Sequence, residues 1–252
     1  DVIYFGHLAV PVKLDMVMQV GWVGGLDRDG HMMPGVVVRA GATGQDVRLV
    51  GSVVRGSGAN PAAPGHAAIE VHATGNAPVL AMEGNEIDGR LFDADGLPSR
   101  AAPSNEVAVL VDGAHVDAHC DNIHDNAAGV VVQNGGSASI GVAVFSRQGG
   151  TALQVDSSSS AAAAMSQFTG NGTGVVNQNA SLSLGARQCW WNAASGPSGP
   201  GLAGSGDAVL GNVDVSGFVT RTPILVRNPE NSGWDFSAPA ACYTKIADAV
   251  AA

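Results

Sequence analysis

Two lysines, Lys13 and Lys245, are all that this chain of 252 residues contains. With the arginines they make 12 basic side chains against 22 acidic ones, a formal net charge of −10. Nucleic-acid binding needs clustered Lys and Arg to replace phosphate counterions, so the balance argues against it. It argues equally against an anionic membrane surface. Aromatics are only 5% and charged residues 13% of the chain, so few long side chains project outward. No apolar run approaches the roughly 18 residues of a spanning helix, so membrane insertion is not expected. No basic n-region leads into an apolar stretch at Asp1, and the sequence is expected to begin at a mature terminus. Cysteines number three, with no CxxC or Cys/His spacing of a zinc site. Cys120 reads as a small buried hydrophobe in an alternating strand, and Cys189 and Cys242 could pair, pinning the tail. No Gly-rich phosphate loop, G-x-S-x-G or H-E-x-x-H occurs.

What is abundant is Gly, 35 in all, with Ala, Val, Ser and Asn, which suits short strands and tight turns. From Glu106 to Asn192 the chain repeats itself. Ile123, Phe145, Phe168 and Trp190 are spaced 22, 23 and 22 apart, and Asp112, Asn134, Asp156 and Asn179 are spaced 22, 22 and 23 apart. Between them lie short β-branched runs such as 107–111, 130–132 and 140–144. A fixed period of this size marks a solenoid, in which one repeat buries its apolar face only by stacking on the next. The spacing predicts an all-β, single-domain solenoid of roughly 22-residue coils with capped ends. Residues 1–30 and 228–252 are the expected caps, and 31–227 the coils. Loops are expected near 57–67 and 91–105. Asn76 lies 36 before Asp112 and Ile87 lies 36 before Ile123, so one insertion should separate both pairs. The run 157–165, helical by propensity, keeps the step and is expected as strand and turn. The Asn/Asp positions 76, 112, 134, 156 and 179 are expected to stack as a structural ladder at one turn.

The repeat G-V-V-V-x-N-x(5)-I-x-V-x-V-F resembles the right-handed parallel β-helix repeats of the pectate-lyase-like superfamily. Trp190-Trp-Asn-Ala-Ala-Ser-Gly-Pro-Ser-Gly-Pro, followed by Gly204-Ser-Gly-Asp-Ala-Val-Leu-Gly-Asn-Val-Asp-Val, looks like a closing element common in bacterial members. The resemblance spans roughly residues 67–220. It implies a right-handed parallel β-helix and an exported, bacterial, extracellular or cell-surface protein. Members include lyases, hydrolases, epimerases and non-catalytic surface proteins. Lyases of the superfamily generally use an Arg or Lys base beside calcium-binding acids, and its hydrolases carry N-T-D, D-D and G-H-G patterns. The hydrolase patterns are absent here, and cations on the outer faces are few.

The richest stretch for chemistry is 112–126. If Val116, Ala118 and Cys120 point inward, then His115, Asp117, His119 and Asp121 point outward in a row. Alternating His and Asp could bind a metal or supply a general acid/base pair, with Asp117, His119 and Asp121 the first catalytic residues to suspect. A solvated strand face is the plainer account. Glu83, Glu86, Asp88, Asp93 and Asp95 form an acidic neighbourhood, and Asp93-Ala-Asp-Gly offers a weak calcium loop without the further acidic ligand of an EF-hand. Beyond that calcium, no cofactor is expected. The leading expectation is a non-enzymatic structural or adhesive protein that partners itself, as a homo-oligomer or filament. The competing one is a carbohydrate-active enzyme, lyase or glycoside hydrolase, on an extracellular polysaccharide.

Overall fold

The computed structural model describes residues 3–5, 12–14, 36–40, 46–55, 67–73, 79–90, 105–222, 226–227 and 242–243. The expected caps lie largely outside them, as do the loops 57–66 and 91–104, Asn76, Asp93 and Asp95. Among the described residues every regular element is a strand, and there is no helix to cross a membrane.

Most strands fall into three sheets that are parallel except for the short pair Pro197–Gly199 and Leu202–Ala203, and the chain visits them in rotation; Val226–Arg227 and Cys242–Tyr243 form a separate antiparallel pair. The first sheet runs through Val36–Ala40, Ala67–Ala73, Val107–Asp112, Ala128–Gln133, Thr151–Val155, Thr173–Asn177 and Gly206–Gly211. The second runs through Asp46–Val50, Val79–Glu83, His115–His119, Ser137–Gly141, Ser160–Ala164 and Leu184–Arg187. The third runs through Val53–Arg55, Glu86–Asp88, Asn122–His124, Val144–Ser146 and Gln167–Thr169. Each set of three strands is one unit, and each strand pairs with its counterpart in the next unit. The run 157–165 obeys this rule: Ser160–Ala164 is a strand in register with Ser137–Gly141.

Alternation along each strand decides which side chains face the interior. In Val107–Asp112, Val109 and Val111 are fully buried while Leu110 is half-exposed. In His115–His119, Val116 and Ala118 are buried while Asp117 and His119 are exposed. In the third sheet the inward residues make one column: Val54, Ile87, Ile123, Phe145 and Phe168 pair in sequence. The aromatic rings stack, Phe145 on Phe168 with centroids 5.2 Å apart and Phe168 on Trp191 at 4.6 Å. Each such pair adds about 0.5–1.5 kcal/mol beyond simple burial. The expected Trp190 is thus not the next member. Its backbone bridges Gln167, one residue before Phe168, which leaves Trp191 to continue the column.

Turns are fixed by left-handed backbone. Gly51, Gly84, Cys120, Val142, Met165 and Gln188 all have positive φ at the turn from the second sheet to the third. Each donates its amide to the next unit: Gly51 to Glu83 O, Gly84 to His119 O, Cys120 to Gly141 O, Val142 to Ala164 O, Met165 to Arg187 O and Gln188 to Ser216 O. The geometry is held even where the side chain opposes it, since a left-handed L-residue costs about 1–2 kcal/mol.

A polar ladder is present, but not where the period alone put it. Asn105 donates to Asn126 Oδ1, and Asn126 N donates to Gln148 Oε1. Gln148 N donates to Asn171 Oδ1, and Asn171 N to Asp207 Oδ2. Asn105, Asn126 and Gln148 are buried, so these bonds satisfy backbone groups that water cannot reach. The expected ladder holds only in its middle: Asn134 donates to Asp112 Oδ1 at 2.6 Å and its amide to Asp156 Oδ2 at 2.8 Å. Asn179 turns away, donating to Ser159 O. At the other end Asp112 pairs in register with His72, 40 residues earlier, rather than 36. The second and third sheets keep the offset of 36, as in His119 with Glu83 and Ile123 with Ile87. Four additional residues therefore separate the first and second strands of the earlier unit.

The cysteine expectation is corrected as well. Cys189 is free and fully buried, its Sγ set against the carbonyls of Ala163 and Arg187. Facing the core, it makes no bond to Cys242. Burial pushes its thiol up to about 11. Cys120, read as a plain hydrophobe, is disulfide-bonded.

Candidate functional site

Acid–histidine groups occur on all three sheets, and all three lie in the two units spanning residues 67–126. The one on the third sheet is the most enclosed. Ile87 and Ile123 point inward, so Glu86, Asp88, Asn122 and His124 take the opposite side. Register places Asp88 beside His124. Gly89 makes the approach possible, because a Cβ there would run into the backbone of Asp125 and Asn126. Asp88 is 0% exposed and the His124 side chain 5%. His124 Nδ1 lies 2.7 Å from Asp125 Oδ2 and 3.6 Å from Asp88 Oδ1, and Nε2 lies 3.4 Å from Glu86 Oε1.

Two arginines complete the cluster. Arg90 grips both oxygens of Asp88, with Nη2 at 2.6 Å and Nε at 2.9 Å. Arg147 does the same to Asp125 at 2.6 and 2.8 Å. Burial works to lower the pKa of His124, but Glu86, Asp125 and Asp88 outweigh it and leave it raised. Burial would likewise raise Asp125, yet Arg147 and His124 hold its carboxyl below the usual range. One donor atom each of Glu86, Asp88 and His124 lie within 4.8 Å of one another, a grouping that could hold a metal ion.

On the first sheet, His72 stands between two carboxylates. Its Nε2 lies 3.0 Å from Glu70 Oε2 and its Nδ1 lies 3.2 Å from Asp112 Oδ2. A neutral imidazole has one N–H, so engaging two carboxylates calls for the doubly protonated ring. The bond to Glu70 raises the His72 pKa most, burial opposes it, and Asp112 adds to the rise.

The row expected on the second sheet forms in part. His115, Asp117 and His119 share the outer face. His115 Nε2 lies 3.0 Å from Asp117 Oδ1, and its Nδ1 lies 2.7 Å from Ser137 Oγ of the next unit. The His119 ring lies over Gly141, where a Cβ would sit 3.1 Å from it. Asp121 is not in the row. It lies at the turn, 1% exposed, where its Oδ1 accepts from the amide and side chain of Asn85. Cys120 breaks the alternation by its left-handed backbone, which turns Asp121 inside. Asn171-Gly-Thr and Asn179-Ala-Ser have the pattern of glycosylation sequons, and both asparagines are engaged: Asn171 Nδ2 donates to Asp207, and Asn179 is buried.

The third-sheet cluster joins residues far apart in the sequence. Glu86 and Asp88 belong to the acidic stretch 83–95, and His124 to the stretch 112–126. The offset of 36 that aligns Ile87 with Ile123 also sets Asp88 on His124, and was the signal available. Glu70 and His72 were reachable only through the offset of 40, which periodicity does not reveal. Compared with known proteins, the chain matches no family model, no curated protein and no solved structure.

Proposed function

We propose that the three stacked sheets form a single right-handed parallel β-helix with capped ends, of the pectate-lyase-like kind, in a bacterial protein working outside the cell. Near-universal right-handedness of parallel crossovers supports the hand. Its role is non-enzymatic, as a structural or adhesive rod that assembles with copies of itself. One observation carries this reading: the groups best suited to chemistry are spent joining one unit to the next. His72 bonds to Asp112, Asp121 to Asn85, His115 to Ser137, and His124 faces Glu86, each across a unit boundary. Electron microscopy and sizing of the purified protein should reveal end-to-end assemblies. A panel of acidic and neutral glycans should show neither unsaturated products nor new reducing ends. Monomers that turn over a glycan would overturn the proposal.

A second reading, a carbohydrate-active enzyme, draws on the second sheet. Asp117 and His119 are exposed there, and Asp117 continues in register through Ser139, Ala162 and Gly185. Such a strip of small residues beside an acid and a base would leave room for an extended sugar polymer. Glycan turnover abolished by Asp117→Asn or His119→Ala would favour it.

A further inference from the structure

We infer that Glu86, Asp88 and His124 bind one divalent transition-metal cation, bridging the units that hold residues 86–88 and 122–124. The spacing of the donors is the first argument. His124 Nε2 and Glu86 Oε1 stand 3.4 Å apart. A charge-assisted hydrogen bond would draw such atoms to about 2.7–2.9 Å. Two ligands of a tetrahedral zinc, at bond lengths of about 2.0–2.2 Å, stand about 3.3–3.4 Å apart. The separation of 3.4 Å fits two ligands sharing a cation better than a short charge-assisted bond.

The surroundings of His124 are the second argument. Asp125 Oδ2 sits 2.7 Å from Nδ1 and holds the ring with Nε2 turned toward Glu86, where a cation would take the place of the proton. Metal-bound histidines are oriented in this way by a carboxylate on the other nitrogen. Burial is the third. Asp88 is 0% exposed and the His124 side chain 5%, while Glu86 at 25% leaves a way in from solvent. Arg90 bonds to both oxygens of Asp88, and a carboxylate offers about four lone-pair directions, so a cation would share Asp88 with Arg90. The cluster of Glu86, Asp88 and Asp125 against Arg90 and Arg147 carries one net negative charge with His124 neutral, which a dication reverses rather than multiplies. One imidazole with two carboxylates selects zinc, cobalt or nickel over calcium and magnesium.

The test uses the whole chain, stripped by chelator and titrated with Zn²⁺, Co²⁺ and Ca²⁺ by calorimetry, with Co²⁺ also followed by visible absorption. The expected result is one Zn²⁺ or Co²⁺ per chain, a Co²⁺ spectrum of low coordination number, and Ca²⁺ at least a hundredfold weaker. His124→Gln should weaken Zn²⁺ at least tenfold. Glu86→Gln, at the exposed rim, should do the same, and keeps the test valid if His124→Gln fails to fold. His119→Ala and His115→Ala on the second sheet should leave binding unchanged. Failure of Zn²⁺ and Co²⁺ to bind, binding that survives Glu86→Gln, or binding lost with His119→Ala would each overturn the assignment.

Discussion

Residues 67–126 and 127–222 share one architecture and differ in chemistry. The first segment holds 11 of the chain's 22 acidic residues and four of its seven histidines. The second, though longer, holds three acidic residues and no histidine. Both stack strand on strand with the same left-handed turn and the same buried polar ladder. The difference teaches that stacking itself needs only small aliphatics, a ring column and a few amides. The ion-paired histidines of the first segment are additional, and they lie on strands paired at offsets of 36 or 40 residues. Ion-paired histidines belong to the first segment alone, while the second has the exposed pair Arg187–Asp214.

Removing packing should therefore hurt the second segment most. Phe168, 0% exposed and stacked on both sides, is its centre. Phe168→Ala should destabilise the chain by about 3–5 kcal/mol in denaturant unfolding. A loss under about 1 kcal/mol would mean that the ring column is not what holds this segment.

The polar ladder crosses both segments and gives the next largest effect. Asn126→Ala leaves the Asn105 side chain without its acceptor and removes the bond to His124 O. About 1–3 kcal/mol should be lost, the cost of an unsatisfied buried group. Asn179→Ala, which removes the bond to Ser159 O and the acceptor of the Ser181 and Leu182 amides, should cost a similar amount.

Charge should make the first segment lose stability as pH rises above about 6.5. His72 has a pKa raised in the fold, so its contribution is fully present below the unfolded value of about 6.5 and is lost as pH rises through the folded value. Stability should fall over that window in the native protein and stay flatter in His72→Gln. Acid acts on both segments, through Asp125 in the first and Asp156 in the second. Burial opposes it, but the amides of Asn134 and Ser158 and the hydroxyls of Ser159 and Ser158 hold the Asp156 carboxyl at about 2. Its contribution is present above the ordinary carboxylate range and is lost as pH falls toward 2. Asp156→Asn should flatten the acid limb of the stability profile.

The smallest effect is expected at the turn. Met165 is 43% exposed with φ +51°. Met165→Gly relieves the left-handed conformation and gives up little burial, so the chain should gain up to about 1 kcal/mol in thermal unfolding.

How much of this was legible follows the same division. From Asn122 to Arg187 the step of 22 or 23 residues is unbroken, and Ile123, Phe145 and Phe168 stack as the spacing required. Even the run Ser160–Ala164 is strand, because register with Ser137–Gly141 outweighs the helical preference of alanine. In 67–126 two offsets coexist, 40 on the first sheet and 36 on the others, so one period could not align every pair. That concealed His72 beside Asp112. The inward turn of Asp121 depended on a left-handed Cys120, which alternation does not foresee. Cys189 went wrong for a plainer reason: one residue of register decides core or surface, and it falls in the core.

The most direct test is native-state hydrogen exchange in the first sheet, with opening free energies compared at pH 5.5 and 8.5. Residues 127–222 contain no histidine, and their one thiol, Cys189, lies at about 11, outside that interval. Opening should become easier for amides of Ala67–Ala73 and Val107–Asp112 at the higher pH, while those of Thr151–Val155 and Thr173–Asn177 keep their values. Equal changes in both groups, or none in either, would contradict the account.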